Sequence, residues 1–375
     1  MYRGEPVCGR IITMAEFKRM ESTAGREQAR ISPRSRRHWL RTAVLGAAAA
    51  WLAADPAAAQ VAAEDPDRAA RMALRFGVLP IGGTLDSRND WAPLLADLER
   101  TLGRPVTMFS ASSYGALARA IERDEVDIAF LSGEMALEAV TRRGMRVVAQ
   151  VTRHDGLPGY RAILLVRAEG PRSTLAALLA DPDSWRMARG EKHSLSGFIV
   201  PQLEFFLPHR IEMETRFASE IVGTHQRIAL AVANGEADIA TSNTADFERF
   251  QLQFPEEAAR LRIIWSSDLI PHGQIVMRRT FSPALRRAVQ DFLTGYGRAP
   301  SPKGDGQRAV LKALHDLAGF IAADNRSLLP AASIAAKYAR QQAQQAQWIN
   351  EEARQARFKR IDAEYAAQVR MLTAE

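Results

Sequence analysis

The segment Arg189-Gly190-Glu191-Lys192-His193-Ser194-Leu195-Ser196-Gly197-Phe198 sets two hydroxyls immediately before a predicted helix, Gly197–Phe206. A helix N-terminus offers unpaired backbone N–H groups and about half a positive charge. That suits a tetrahedral oxyanion, and serine hydroxyls at the same place can donate to it. The simpler alternative is that Ser194 or Ser196 caps its helix and does nothing more. Catalytic signatures are absent: there is no Gly-x-Ser-x-Gly, no Walker loop, no His-Glu-x-x-His and no dinucleotide fingerprint in a strand–helix setting. His154, His193, His209, His225, His272 and His315 are scattered, with no pair at metal-ligand spacing. No metal, cofactor or catalytic residue is therefore expected, and an enzyme is not the expected class.

Short apolar runs alternating with amphipathic stretches must position that segment. Strands are predicted at Leu74–Leu79, Val106–Phe109, Asp127–Leu131, Arg146–Val151 and Ala162–Val166, and again at Glu214–Phe217 and Asp238–Thr241, with the unassigned stretch Trp185–Ala188 before them. Helices are predicted between them, at Asp90–Leu102, Tyr114–Glu122, Glu134–Arg142, Thr174–Leu179 and Gln226–Asn234. The Gly82-Gly83 pair closes the first strand in a turn. Such alternation predicts parallel sheets in a three-layer α/β build. Arg262–Trp265 and Gln274–Arg278 read as a return to the first unit, so two crossings would join two lobes. The expected boundaries are 72–165 plus 267–330 for lobe 1, 166–266 for lobe 2, and 331–375 for a C-terminal extension. Ser333–Leu372 lacks Gly and Pro and is rich in Ala, Gln, Arg and Glu, which predicts one long helix. Its stripes, Ile334, Tyr338, Gln345 and Trp348, then Phe358, Ile361, Tyr365 and Leu372, are out of heptad register. The helix either packs on its own body or pairs with a second copy as a homodimer.

The chain has 375 residues and a net charge of +7, which invites a nucleic-acid reading. Residues 1–59 carry +5 of that excess, so the remainder is close to neutral and no nucleic-acid partner is expected. Ser35-Arg36-Arg37-His38-Trp39-Leu40-Arg41 precedes an uncharged apolar run, Thr42 to Ala54, and the small residues Ala57-Ala58-Ala59. This pattern predicts a cleaved export signal over 1–59, with cleavage before Gln60. The paired arginines resemble the twin-arginine type, a general secretory signal being the alternative. The single cysteine, Cys8, falls in this leader, so no disulfide framework is possible.

Several segments together resemble the periplasmic phosphate/phosphite/phosphonate-binding proteins of ABC importers. They are Phe76-Gly77-Val78-Leu79-Pro80, Ser113-Tyr114-Gly115, Val126-Asp127-Ile128-Ala129-Phe130, Asp155-Gly156-Leu157-Pro158-Gly159-Tyr160 and Ser194-Leu195-Ser196-Gly197-Phe198. His225 followed by Ala231 to Thr244 is the nearest match. The resemblance implies an α/β, two-lobed type II clamshell with the ligand between the lobes, here with a long C-terminal helix added. It also implies a small phosphorus oxyanion as ligand and an inner-membrane ABC permease as partner, a membrane sensor kinase being the alternative partner. Carried over by position, Tyr114 and Tyr160 would donate phenolic hydrogen bonds from the first lobe. Ser194 and Ser196, with the N–H groups of Leu195, Ser196 and Gly197, would hold the phosphoryl oxygens. His225 would add a further donor.

Three departures from the family pattern narrow the ligand. Leu195 stands where the family carries a middle hydroxyl. Ala245 and His272 stand where members that bind aminophosphonates carry carboxylates. Asp246 comes one residue late and, on a helix, is expected to point about 100° away from Ala245. An unpaired ligand ammonium in the closed cleft would cost several kcal/mol. The expected ligand is therefore phosphite, phosphate or a short alkylphosphonate without an amine.

Overall fold

Strand β5 (Gly159–Arg167) illustrates how the sequence pattern becomes a layered lobe. Ala162, Leu164 and Val166 face one apolar cluster, with Trp185, Phe198 and Phe206. Ile163 and Leu165 face another, with Ile228, Val232 and Phe247. A period of two on a strand covered on both faces yields a continuous apolar run. In this computed structural model the residues described are 72–374, apart from 82, 83 and 315. The chain divides into two units, Met1–Ala63 and Glu64–Glu375, and every described residue belongs to the second. The expected export signal with Cys8, the Gly82-Gly83 turn and His315 lie outside the described residues.

Two mixed sheets form the second unit. The first contains β1 (Leu74–Val78), β2 (Val106–Ser110), β3 (Ile128–Leu131), β4 (Met145–Arg153), β10 (Gln274–Arg278) and β11 (Leu317–Ala322), in the order β11-β4-β10-β3-β1-β2. The second contains β5, β6 (Arg186–Arg189), β7 (Ser219–Val222), β8 (Ile239–Asn243) and β9 (Leu261–Pro271), in the order β7-β6-β8-β5-β9. Helices α1 (Thr84–Leu102), α2 (Tyr114–Glu122) and α3 (Gly133–Arg142) belong to the first lobe. Helices α4 (Leu175–Ala180), α5 (His225–Ala233) and α6 (Thr244–Gln253) belong to the second. Helices α7 (Pro283–Gly295) and α8 (Pro302–Ala313) return to the first. This is the two-lobed α/β clamshell that the sequence implies.

The structure corrects the expected parallel sheets and the expected boundaries. β10 pairs antiparallel with both β3 and β4, and β5 pairs antiparallel with β8 and β9. Each strand that enters a sheet from the opposite lobe arrives head-on, so helix crossovers make only part of each sheet parallel. β5 and β9 both lie in the second sheet, so the lobes meet at His154–Pro158 and at His272-Gly273, outside the boundaries at 165 and 267. The close approach of β5 to β9 requires Gly159: a Cβ there would fall 2.2 Å from the Ile270 carbonyl oxygen. His272 Nε2 lies 3.0 Å from the Leu157 carbonyl oxygen, tying one crossing to the other. The strand expected at Glu214–Phe217 is a turn, and β7 follows it.

The single C-terminal helix is also corrected. Two helices form, α9 (Leu329–Gln345) and α10 (Glu351–Thr373), which pack on each other. Asn350 caps α10 by accepting from the Ala353 N–H, and Trp348 Nε1 donates to the Ala343 carbonyl across the break. An N-cap preference thus outweighs the helical composition on either side. The predicted outer stripe is consumed within the chain: Ile361 and Leu372 are buried, and Tyr365 packs on the first lobe's core. Ile334 and Tyr338 of α9 meanwhile pack on the second lobe. Burial raises the Tyr338 phenol to about 12. Leu372 is fully buried in the first lobe. Leu372→Ala is expected to remove about 2–4 kcal/mol of unfolding free energy in urea. A loss below about 0.5 kcal/mol, the range of surface changes, would show that the helix end is undocked.

Candidate functional site

The oxyanion segment begins where β6 ends. Gly190 N–H donates to the Gly197 carbonyl at 3.1 Å and to Thr241 Oγ1 at 3.2 Å, and Thr241 Oγ1 donates to the Gly197 carbonyl at 2.7 Å. The two glycine backbones are so close that a Cβ on Gly197 would sit 2.9 Å from Gly190 Cα. The segment then turns through Leu195–Ile199 and Gln202–Phe206 as wide, π-type turns, beginning two residues earlier than the expected helix. The Ser194 carbonyl accepts from both Phe198 and Ile199 at 3.1 Å. Wide turns of this kind are often found at functional sites.

Gly197 does not do what the sequence implied. Its N–H is taken by Ser194 Oγ at 3.0 Å, so Ser194 caps the turn and Gly197 falls outside the cavity lining. The N–H groups of Leu195 and Ser196 have no protein acceptor among the described residues. Ser194 accepts from Gly197 yet keeps its own proton to donate, so capping and ligand contact are compatible. Both serines are buried.

Three further helix starts converge on this segment. Tyr114 is the first residue of α2, His225 the first of α5, and Asn243 the N-cap of α6. Ser196 Oγ lies 3.4 Å from His225 Nε2 and accepts from Asn243 Nδ2 at 3.2 Å. The Tyr114 phenol faces Ser194 across the cleft, and the Tyr160 phenol faces Ser196. Tyr160 belongs to β5 and so to the second sheet, not to the first lobe as expected. It stacks on His272 with ring centroids 6.1 Å apart. The structure therefore gathers Tyr114, Tyr160, Ser194, Leu195, Ser196 and His225 around one cavity of about 80 Å³.

Burial sets the protonation of this cluster. It pushes both phenols upward, reinforced by the Asp246 charge, so Tyr114 and Tyr160 remain neutral donors. It pushes His225 downward against the opposing pull of Asp246, and likewise lowers His272. Arg153, the cationic side chain among the cavity's described lining residues, is paired with Glu248 at 2.6 Å and Asp155 at 3.6 Å.

Asp246 corrects the expected geometry. It lines the cavity, with Oδ2 accepting from Asn243 Nδ2 at 2.6 Å and lying 3.8 Å from His225 Nε2. Helical side chains tilt toward the N-terminus, and at the third position of α6 that tilt brings the carboxylate back over its own cap. Its N–H in turn donates to Asn243 Oδ1 at 2.9 Å, making a reciprocal cap. Residues the motifs did not assign complete the cavity. The first lobe supplies an apolar wall of Leu79, Ile81, Trp91, Phe130, Val151 and Leu317. Trp91 is wedged against Phe76 and Phe130, with centroids at 5.5 and 5.0 Å. Its place in the predicted helix Asp90–Leu102 gave no sign that it would line the cavity. Two buried lining nitrogens, Trp91 Nε1 and His225 Nδ1, have no hydrogen-bond partner among the described residues.

Two mixed sheets joined by two crossings, with a buried cavity lined by neutral donors between them, define a two-lobed solute-binding protein. The family model for the periplasmic substrate-binding protein of phosphonate ABC transporters matches residues 76–328, and the chain belongs to that family. It is 33% identical over 292 residues to the phosphonates-binding periplasmic protein of Escherichia coli K12, covering 78% of this chain and 84% of that one. A binding protein component of an ABC phosphonate transporter from Pseudomonas aeruginosa superposes with a TM-score of 0.74 at 29% identity. That match covers 81% of this chain and 99% of the other. PhnD1 from Prochlorococcus marinus, solved with methylphosphonate, shares the fold with a TM-score of 0.59 at 16% identity, over 71% and 97% of the two chains. The protein is thus a periplasmic phosphonate-binding component of an ABC transporter, a substrate-binding protein and not an enzyme.

The depressed histidines dictate a pH response. In the unfolded chain both titrate near about 6.5, whereas in the folded protein they resist protonation. Their stabilising contribution is present above that value and is lost as pH falls through the lower folded value. The melting temperature of ligand-free protein should therefore fall between pH 7.5 and pH 5, and less so in His225→Gln. Parallel curves for the two proteins would show that His225 carries no part of the effect.

Proposed function

We propose that the ligand is a short alkylphosphonate without an amine. The carrying observation is the division of the cavity into two unlike walls. The second lobe offers Ser194, Ser196, His225 and the N–H groups of Leu195 and Ser196; the first offers the apolar Trp91, Phe130, Leu79 and Ile81, with Tyr114, Ser132 and Arg153 at their margin. A phosphoryl head and a small carbon substituent match this division better than inorganic phosphate or phosphite, which have no apolar part to desolvate. An apolar cavity of about 150 Å³ takes a benzene ring, so the cavity of about 80 Å³ here restricts the ligand to the smallest members of the class. The solved methylphosphonate complex of the Prochlorococcus protein supports this size class.

The arrangement also argues against an ammonium group. Ala245 offers no charge, and His272 is held toward its neutral form by burial. Asp246 is directed onto Asn243 and His225. The bound form would be delivered to an inner-membrane permease, after export of the chain with residues 1–59 removed. N-terminal sequencing of periplasmic protein is expected to begin at Gln60; a start within the leader would refute that cleavage site.

Calorimetry against methylphosphonate, ethylphosphonate, phosphate, phosphite and aminoethylphosphonate checks the ligand class. The two alkylphosphonates are expected to bind most tightly. Ser196→Ala and Tyr160→Phe should each weaken them by about 1–3 kcal/mol, the range for a donor to a charged group. Tighter binding of aminoethylphosphonate than of every amine-free ligand would overturn the reading.

A further inference from the structure

Glu191 lies in the oxyanion segment of the second lobe, three residues before Ser194, and lines no part of the ligand cavity. Its carboxylate reaches across to the first lobe. Oε1 accepts from the Tyr114 N–H at 2.8 Å and Oε2 from the Gly115 N–H at 3.1 Å. These are the first two N–H groups of α2, which have no acceptor inside their own helix. The next, that of Ala116, is taken by the helix's own cap, Ser113 Oγ, at 3.0 Å. The Leu117 N–H then begins the intrahelical ladder on the Ser113 carbonyl. The N-terminus of α2 is thus fully satisfied only while the two lobes are in contact.

We propose that Glu191 is a positioning residue for the ligand: by capping α2 across the cleft it fixes Tyr114 against Ser194 and holds the lobes shut over the bound phosphonate. A carboxylate at a helix N-terminus is favourable both for the dipole and for charge-assisted hydrogen bonding. The bidentate geometry specifies one orientation of the lobes. Because the α2 N-terminus is occupied by protein, the ligand's phosphoryl group is left to the N–H groups of Leu195 and Ser196. Ordering of that loop by the ligand presents Glu191 to α2, and the contact in turn places the Tyr114 hydroxyl. Neighbouring contacts bring the same surfaces together without fixing Tyr114. Ser132 Oγ donates to the His193 carbonyl at 3.4 Å, and Arg249 pairs with Asp90 at 2.6 Å. When the lobes part, water takes the place of Glu191 on two N–H groups, so the cap acts on the closed form alone.

The inference rests on the phosphonate-binding reading, and stopped-flow binding of methylphosphonate separates the two. Glu191→Gln keeps one acceptor oxygen and loses the charge. It should raise the dissociation rate about 10-fold, the order expected for hydrogen bonds to a charged group, with the association rate within about twofold. Glu191→Asp, one methylene short of spanning both N–H groups, should also dissociate faster than wild type. The melting temperature of the ligand-free variants should match wild type, and small-angle scattering should show less ligand-induced compaction. Wild-type binding with unchanged dissociation in Glu191→Gln would overturn the role of Glu191 alone. Equal destabilisation of the ligand-free and ligand-bound forms would reduce it to a structural contact and overturn it as well. No binding of methylphosphonate by the wild type would sink both readings.

Discussion

An anion held in a buried cleft without a free cationic side chain has to be held by dipoles, and most of this fold serves that requirement. Arg153, within the cavity lining, is already paired with Glu248 and Asp155. What remains is a set of neutral donors: two phenols raised by burial, two serine hydroxyls, a histidine lowered by burial, and the N–H groups of Leu195 and Ser196. Each is weak alone. Their strength comes from low dielectric and fixed orientation. Such donors must be aimed by the backbone, which accounts for the convergence of α2, α5, α6 and the Leu195–Ile199 turn on one point.

That convergence depends in turn on the two crossings between sheets. β4 hands the chain to β5 and β9 returns it to β10, so the hinge lies at the cavity's edge and not at a distance from it. Tyr160 stands one residue into β5 and stacks on His272, which sits in the other crossing. A ligand that contacts Tyr160 therefore acts beside the place where the lobes rotate. Closure of two lobes around such a hinge needs differential contacts in the closed form. The cross-cleft contacts, Glu191 with the N–H groups of Tyr114 and Gly115 and Arg153 with Glu248 among them, are of that kind.

The sequence made the two lobes and most of the cavity legible because both are written locally. Period-two apolar runs mark the strands, and Ser113, Thr224 and Asn243 mark helix starts; each accepts from an N–H in the following turn. Lobe membership was not legible in the same way. β5 and β9 carry the same apolar texture whichever sheet they join, and only long-range pairing assigns them. The C-terminal break was written in Asn350, a cap signal set within a composition that favours helix. Gly197 was misassigned for a related reason: a wide turn lets Ser194 Oγ reach its N–H, and no spacing rule separates that from an open donor.

Asp246 shows where positional reasoning needs the direction of the side chain as well as its place on the helical wheel. An angle of about 100° between neighbours would carry it off the cleft if helical side chains stood straight out. They lean toward the N-terminus, and in the first turn of α6 that lean ends on Asn243. The result is a carboxylate inside an oxyanion site, which by charge alone would weaken the ligand. Its partners offset this. Asn243 Nδ2 is shared between Asp246 Oδ2 and Ser196 Oγ, so the carboxylate orients the amide that in turn orients a ligand-facing hydroxyl. Asp246 also favours the protonated form of His225, against the burial that opposes it. A phosphonate close to Nε2 would act in the same direction as Asp246, both opposing the burial that keeps the ring a neutral donor.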